Sequence, residues 1–392
     1  MKQLRFILIA VIALGAFLPA FGQLRLSGTL SSTGYFFDTP TVEQGNFYQA
    51  VNLRATPAAN TASYLNTYFQ VAKLGDADWT ERVYNLYGNL STLDRRFQAR
   101  IGRQFLYAGV MNGTMDGILF SGTPTENLSV KVFAGLETRF DRQMELAGSD
   151  STAVGAYASY RFPWDFKVDV SYFNRQRSNA TIWEQLGFGV NGNLGADLFY
   201  LAEYDQNLET GEAQGQRYRL TYYLGPLAFN GEYAKQRPRI YQTSFFQIFQ
   251  LEAYEQYRGG LTYTWNDYQV GANYIFTDTE FDQSNEITLN VGNRWGYLGF
   301  VFQEGFAGDN IGVYGDIRYA ILPELTLKFY SGYYNYERQT TNISQDATSF
   351  SGGFIYTPWR FLALHAELQE SINSFYDNDV RGLLRAEYTF RR

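Results

Sequence analysis

The feature that most constrains this chain is a two-residue alternation of apolar and polar side chains, clearest over residues 378–390. Val380, Gly382, Leu384, Ala386, Tyr388 and Phe390 fall at one parity, and Arg381, Leu383, Arg385, Glu387 and Thr389 at the other. Successive side chains of a strand point to opposite faces, so the segment reads as a ribbon with one greasy side and one wet side.

The same pattern recurs upstream. Leu24, Leu26 and Leu30 alternate with Arg25, Ser27, Thr29 and Ser31, and Phe47, Val51 and Leu53 stand against Tyr48, Asn52 and Arg54. The ribbons near residues 62–73, 80–91 and 96–105 are less clean. From residue 128 the phase is regular: Leu128, Val130, Val132 and Ala134 oppose Ser129, Lys131 and Gly135, while Val154, Ala156 and Tyr160 oppose Tyr157, Ser159 and Arg161. Val168 and Val170 oppose Lys167, Asp169 and Arg175. Tyr218, Leu220 and Tyr222 oppose Arg217 and Arg219. Leu364, Ala366 and Leu368 oppose His365 and Glu367.

Tight connections recur at residues 163–165, 195–196, 225–226, 265–267, 295–297, 322–324 and 358–360, several of them carrying Trp or Tyr. Between them lie longer polar segments at 142–150, 207–214, 236–252, 278–285 and 337–347. Short turns on one side, long loops on the other and aromatics at the interface are the marks of a transmembrane antiparallel β-barrel. Fitting roughly 10-residue strands to the chain gives an all-β barrel of about 22 strands (range about 18–22), with both termini on the short-turn side. A chain with 32 Tyr, 32 Phe and 37 Gly but only 9 Pro suits aromatic girdles and close β-packing.

Residues 1–22 read as a signal peptide. Lys2 and Arg5 precede an apolar run shorter than the roughly 20 residues of a spanning helix, and Ala20, Phe21 and Gly22 form a small-x-small cleavage site. Residues 23–392 then form the barrel. Removing the leader takes the net charge from −7 to −9, a poor balance for binding nucleic acid. The absence of cysteine excludes disulfides, thiol catalysis, thiolate metal sites and a lipoprotein anchor.

The C-terminal ribbon of Gly382, Leu384, Ala386, Tyr388 and Phe390 resembles the insertion signal of bacterial outer-membrane β-barrels. The resemblance implies a place in the outer membrane of a diderm bacterium and recognition by the barrel-assembly machinery. In that family the aromatic usually ends the chain, whereas Arg391 and Arg392 follow Phe390 here. A second stretch, Arg100, Ile101, Gly102, Arg103 and Gln104 followed by Asp116 and Gly117, is similar to a strand-and-loop pattern of alginate-export-like and related large porins.

No sequence motif for nucleophilic, phosphate or metal chemistry is present, and the one histidine, His365, lies on a wet face without a partner motif. Glu203 and Asp205, two residues apart on one ribbon, read as solvated wall charges rather than a glycosidase pair. No catalytic, cofactor or metal site is expected.

The wet parity instead collects Arg100, Lys131, Arg161, Lys167, Arg175, Arg217 and Arg219. It continues with Glu232, Arg258, Arg294, Arg318, Lys328, Arg381 and Arg385. As a pore lining, these would favour anionic or hydroxyl-rich solutes; as wall braces, they would pair with carboxylates. The expectation is a porin-like channel for passive diffusion, with outer-membrane lipid and small solutes as its partners. A sheath around a partner such as a multihaem cytochrome is the main alternative, and an outer-membrane enzyme the remote one. The apolar segment 240–251 is a candidate constriction or a projecting hairpin.

Overall fold

The computed structural model describes residues 24–39, 42–138, 141–143, 151–239, 253–279, 281–306, 308–337, 344–374 and 376–391. The leader, Arg139 and the apolar segment 240–251 lie outside them. The described chain forms β1 (Leu24–Thr39), β2 (Val42–Pro57), β3 (Tyr64–Leu74), β4 (Thr80–Ser91), β5 (Phe97–Ala108), β6 (Met111–Gly122), β7 (Leu128–Glu137), β8 (Ser151–Phe162), β9 (Phe166–Arg177), β10 (Ala180–Leu194) and β11 (Leu198–Asn207). It continues through β12 (Ala213–Leu224), β13 (Leu227–Gln236), β14 (Tyr254–Trp265), β15 (Tyr268–Thr279), β16 (Gln283–Asn293), β17 (Gly296–Gly305), β18 (Asp309–Leu322), β19 (Leu325–Glu337), β20 (Ser344–Trp359), β21 (Leu362–Asn373) and β22 (Tyr376–Arg391).

These strands make one 22-stranded sheet of sequential antiparallel neighbours. β1 pairs with β22 from Ser27 opposite Arg391 to Asp38 opposite Val380, so the sheet closes on itself. Closure leaves no free edge strand and satisfies the strand backbones of the membrane band internally, the condition for β structure in hydrocarbon.

The alternating faces separate as the sequence indicates. Leu30, Leu90, Ile118, Val132, Phe188, Leu220, Leu289, Phe300, Phe329 and Leu384 all stand exposed on the outside. Two aromatic belts border this apolar band. At the end holding the termini, Trp359, Phe361, Tyr388 and Phe390 form a chain of ring contacts 5.6–6.2 Å apart, and Phe162 stacks on Phe166 at 4.3 Å. Toward the other end, Tyr218, Tyr233, Tyr257 and Phe276 follow one another at 5.0–6.1 Å. Such amphipathic rings suit the membrane–water interface.

Turn chemistry fixes the short connections. Asp165 and Asn266 adopt positive φ in the β8–β9 and β14–β15 turns, a conformation their short polar side chains tolerate. In the β4–β5 turn, the Thr92 hydroxyl and the Arg96 N–H donate to Asp94 at 2.6 and 3.1 Å and hold its carboxyl below the usual range. The expected asymmetry of loop length is incomplete, however. On the side opposite the termini, Ser178 and Asn179 alone connect β9 to β10, both with positive φ. That is the type I′ geometry whose twist matches a two-residue hairpin. β5 and β6 are likewise joined through only Gly109 and Val110.

Candidate functional site

The β5–β6 hairpin leaves the wall. β5 pairs with β4 only from Leu86 opposite Arg103 to Ser91 opposite Gln98, and β6 pairs with β7 only from Met115 opposite Glu137 to Gly122 opposite Val130. Yet β5 and β6 stay paired with each other up to Ala108 opposite Met111. Residues 104–114 are therefore a two-stranded ribbon outside the wall's strand ladder, with one backbone bond from the Thr138 N–H to the Thr114 carbonyl at 3.5 Å at its base.

The ribbon turns inward. At its tip the Val110 N–H donates to the Ser171 hydroxyl of β9 at 3.1 Å, and Arg239, just beyond β13, donates to the Val110 carbonyl at 3.3 Å. Lys131 of β7 reaches the Tyr107 carbonyl at 3.4 Å. One ribbon face, carrying Leu106, Ala108, Met111 and Met115, is buried with Phe133, Ala153, Phe173 and Trp183 of the β7–β10 wall. The other face presents Phe105 and Tyr107, 52% and 71% exposed, to the open lumen. Burial of so much apolar surface against the inside of the wall holds the hairpin down as a constriction.

Three glycines and one ion pair make the bend. Gly102, Gly117 and Gly135 lie opposite one another across β5, β6 and β7. A Cβ at Gly102 would strike the Leu86 carbonyl oxygen, and one at Gly117 the Ala134 oxygen; Gly102 also has φ of +124°. Only glycine lets the backbones approach this closely. Beside this row, Arg103 grips Asp116 with Nε on Oδ1 at 2.7 Å and Nη2 on Oδ2 at 2.9 Å. The same guanidinium donates to the carbonyls of Val83 and Arg142 at 3.3 and 3.2 Å, while the Val83 N–H donates to Arg142 O at 2.8 Å. Residues 142–143 thus pair with the edge of β4 that the departing hairpin exposes. The Gly-Arg-Gln and Asp-Gly pattern singled out in the sequence is this hinge.

Around the rest of the inner face, the expected lining residues are mostly tied to carboxylates. Arg217 and Arg219 both donate to Glu232 Oε2, at 3.0 and 2.6 Å, and Arg258 lies 3.8 Å from Oε1. Three guanidiniums therefore share one carboxylate, and the cluster keeps a positive excess. Arg175 pairs with Glu137, Arg385 with Glu387, Arg318 with Asp316 at 3.4 Å and Arg381 with Asp379 at 2.6 Å. Lys131 and Lys167 approach the Tyr157 ring at 5.3 and 5.7 Å, and Arg100 donates to Asn89 at 3.3 Å. Arg161 stands opposite Lys167, and Lys328 opposite Arg318. Arg294 departs from the expectation: it sits in the β16–β17 turn with its guanidinium 4.6 Å over the Trp295 ring, anchored at the barrel rim rather than on a strand face.

His365 lies 3.8 Å from Glu387. Among the described residues no cluster of acidic or histidine side chains is placed to hold a metal ion.

Several site residues were not legible at two-residue spacing. Phe133 and Phe173 share the parity of Lys131 and Arg175, where alternation predicts wet side chains. Residues 105–111, apolar at both parities apart from Gly109, carried the signal of a ribbon buried on one side within the lumen.

No protein-family model matches the sequence, and neither does any curated protein. Solved structures similar to this chain include Pseudomonas aeruginosa OccK5 (OpdH), at 9% identity over 94% of this chain and 98% of that one, TM-score 0.44. Acinetobacter baumannii OccAB1 is 11% identical over 94% and 96%, TM-score 0.45. Pseudomonas aeruginosa OccK2 (OpdF), solved in complex with glucuronate, is 12% identical over 94% and 98%, TM-score 0.43. Similarity at this level concerns the fold alone.

Proposed function

We propose that this protein is a porin-like diffusion channel of the outer membrane of a diderm bacterium, passing small hydrophilic solutes through a lumen narrowed by the β5–β6 hairpin. The observation that carries this reading is the inward hairpin, fastened at its base by Arg103 and Asp116 and at its tip by Ser171 and Arg239. It narrows the passage from within, and charged side chains line the remaining wall. The cluster of Arg217, Arg219 and Arg258 on a single carboxylate supports a preference for anionic groups, because a low-dielectric wall focuses such a field across the lumen.

The pore lining in this proposal is the set of inner-face residues described above without Arg294. Residues 1–22 act as the secretory leader, the last strand is read by the assembly machinery, and lipid surrounds the apolar belt. The resemblance of the hinge residues to a pattern of alginate-export-like porins is in keeping with a channel and names no substrate. A sheath around a threaded partner fits less well, since the hairpin occupies lumen space that such a partner needs.

Reconstitution into planar bilayers tests the proposal. Discrete, ohmic single-channel steps are expected with the purified protein, and their absence would refute it.

A further inference from the structure

Next to the constriction, a recess of about 300 Å³ opens in the inner wall between β10 and β14. Its floor is cut by small residues, Gly215 and Ala234, and its two flanks differ in charge. On the β11 flank, Glu203 and Asp205 make no ion pair among the described residues, although Glu203 stands directly opposite Arg217 in register. Arg217 turns away instead to Glu232, which also takes Arg219 and lies near Arg258. One flank thus holds two carboxylates without a direct ion pair, the Arg239 guanidinium acting on Asp205 from beside the hairpin tip, and the other flank three guanidiniums on one carboxylate.

A third observation is independent of charge. Gln185 of β10 is fully buried and lines the same recess. Its Oε1 accepts the Trp183 indole N–H at 3.0 Å, while its Nε2 has no partner. A buried amide donor without a partner is costly and marks a place where an acceptor belongs.

From these we infer that the recess is a binding site for a zwitterionic solute of amino-acid to dipeptide size. Its ammonium lies against Glu203 and Asp205, its carboxylate against Arg217 and Arg258, and an acceptor oxygen meets Gln185 Nε2. The inference rests on the channel reading and adds the class of solute. Arg239 joins the recess to the constriction, since it lines the one and donates to Val110 in the other. A solute passing the hairpin is therefore held at both of its charged ends.

Four probes of similar size separate the ends: glycylglycine, N-acetylglycine (anion only), glycinamide (cation only) and N-acetylglycinamide (neutral). Binding to the purified full-length protein in micelles is followed by ligand-observed NMR, and conductance is recorded on the same preparation. Glycylglycine is expected to bind several-fold more tightly than any of the others. Glu203→Gln with Asp205→Asn should bring it down to the level of N-acetylglycine without weakening N-acetylglycine itself, and Gln185→Leu should weaken both carboxylate probes. Equal binding of glycylglycine and N-acetylglycine, or a glycylglycine preference that survives the double substitution, would overturn the inference. Normal conductance alongside that failure would leave the channel intact, whereas binding without conductance would refute the channel and keep the site. Wild-type β-sheet circular dichroism and an unchanged heat-modifiable shift in electrophoresis show that the variants are folded.

Discussion

Arg103 and Asp116 face each other across the β5–β6 hairpin in a two-pronged ion pair, each side chain only 5% exposed, at the point where the ribbon leaves the barrel wall. Removing one partner of a buried pair leaves a charge without compensation and costs on the order of 3–5 kcal/mol, whereas replacing both by apolar groups costs much less. Arg103→Ala and Asp116→Ala should therefore each destabilise the barrel strongly in urea titrations and raise open-channel noise. Arg103→Met with Asp116→Leu should recover most of the stability, and additive losses in this cycle would remove the pair from the hinge.

Gly102 is predicted to tolerate no side chain. Gly102→Ala places a Cβ against the Leu86 carbonyl at a positive φ, while Gly231→Ala meets nothing within 4 Å. Folding yield should fall for the first and stay near wild type for the second. Equal yields would mean that the hairpin base is more plastic than its backbone approach implies.

Facing is tested by arginine. Leu220 and Leu289 point outward, at 56% and 47% exposure, beside inward Thr221 and Thr288. Arginine at the leucines should cost on the order of 2–4 kcal/mol near mid-depth in a bilayer, and arginine at the threonines little. Denaturant midpoints in liposomes report the difference.

Much of this was legible beforehand. A period of two assigns Leu220 and Thr221 to opposite sides whatever the barrel's size, and even strand parity puts both termini at one end. The inward hairpin was not legible in that way. Alternation reports that two faces differ, not which medium each meets, and the parity of Phe97 and Ile101 on the outer surface continues past the hinge into Phe105 and Tyr107 in the lumen. Arg103 shares that outward parity, so alternation alone places it on the outer face, and only the Gly-Arg-Gln motif marks its segment. Arg–carboxylate pairing was foreseen as an alternative, but the sharing of Glu232 among three arginines depends on register between strands, which no single ribbon contains.

Topology gives a further prediction. Asn179 and Thr210 lie at the end opposite the termini, and Ala196 and Pro323 at the terminal end. Single cysteines at the first two positions should react with an impermeant maleimide on intact cells, and those at the last two only after lysis. The reverse pattern would invert the barrel in the membrane.

Charge selectivity should follow the Glu232 cluster. Glu232→Gln frees three guanidiniums and should shift the reversal potential in a salt gradient further toward chloride, while Arg258→Gln should shift it toward potassium. Both shifts should shrink as the Debye length falls from about 10 Å at 0.1 M to about 3 Å at 1 M salt. Shifts of the same sign, or none, would leave these arginines a bracing role only.

The central claim, a water-filled passage narrowed by an inward hairpin, is tested most directly by single-channel conductance of the wild type against a variant in which residues 105–114 are replaced by a two-residue Asn-Gly turn joining the paired Gln104 and Met115. The wild type should show small, uniform steps, and the shortened variant clearly larger steps with weaker discrimination among solutes. Equal conductance in the two would contradict the account.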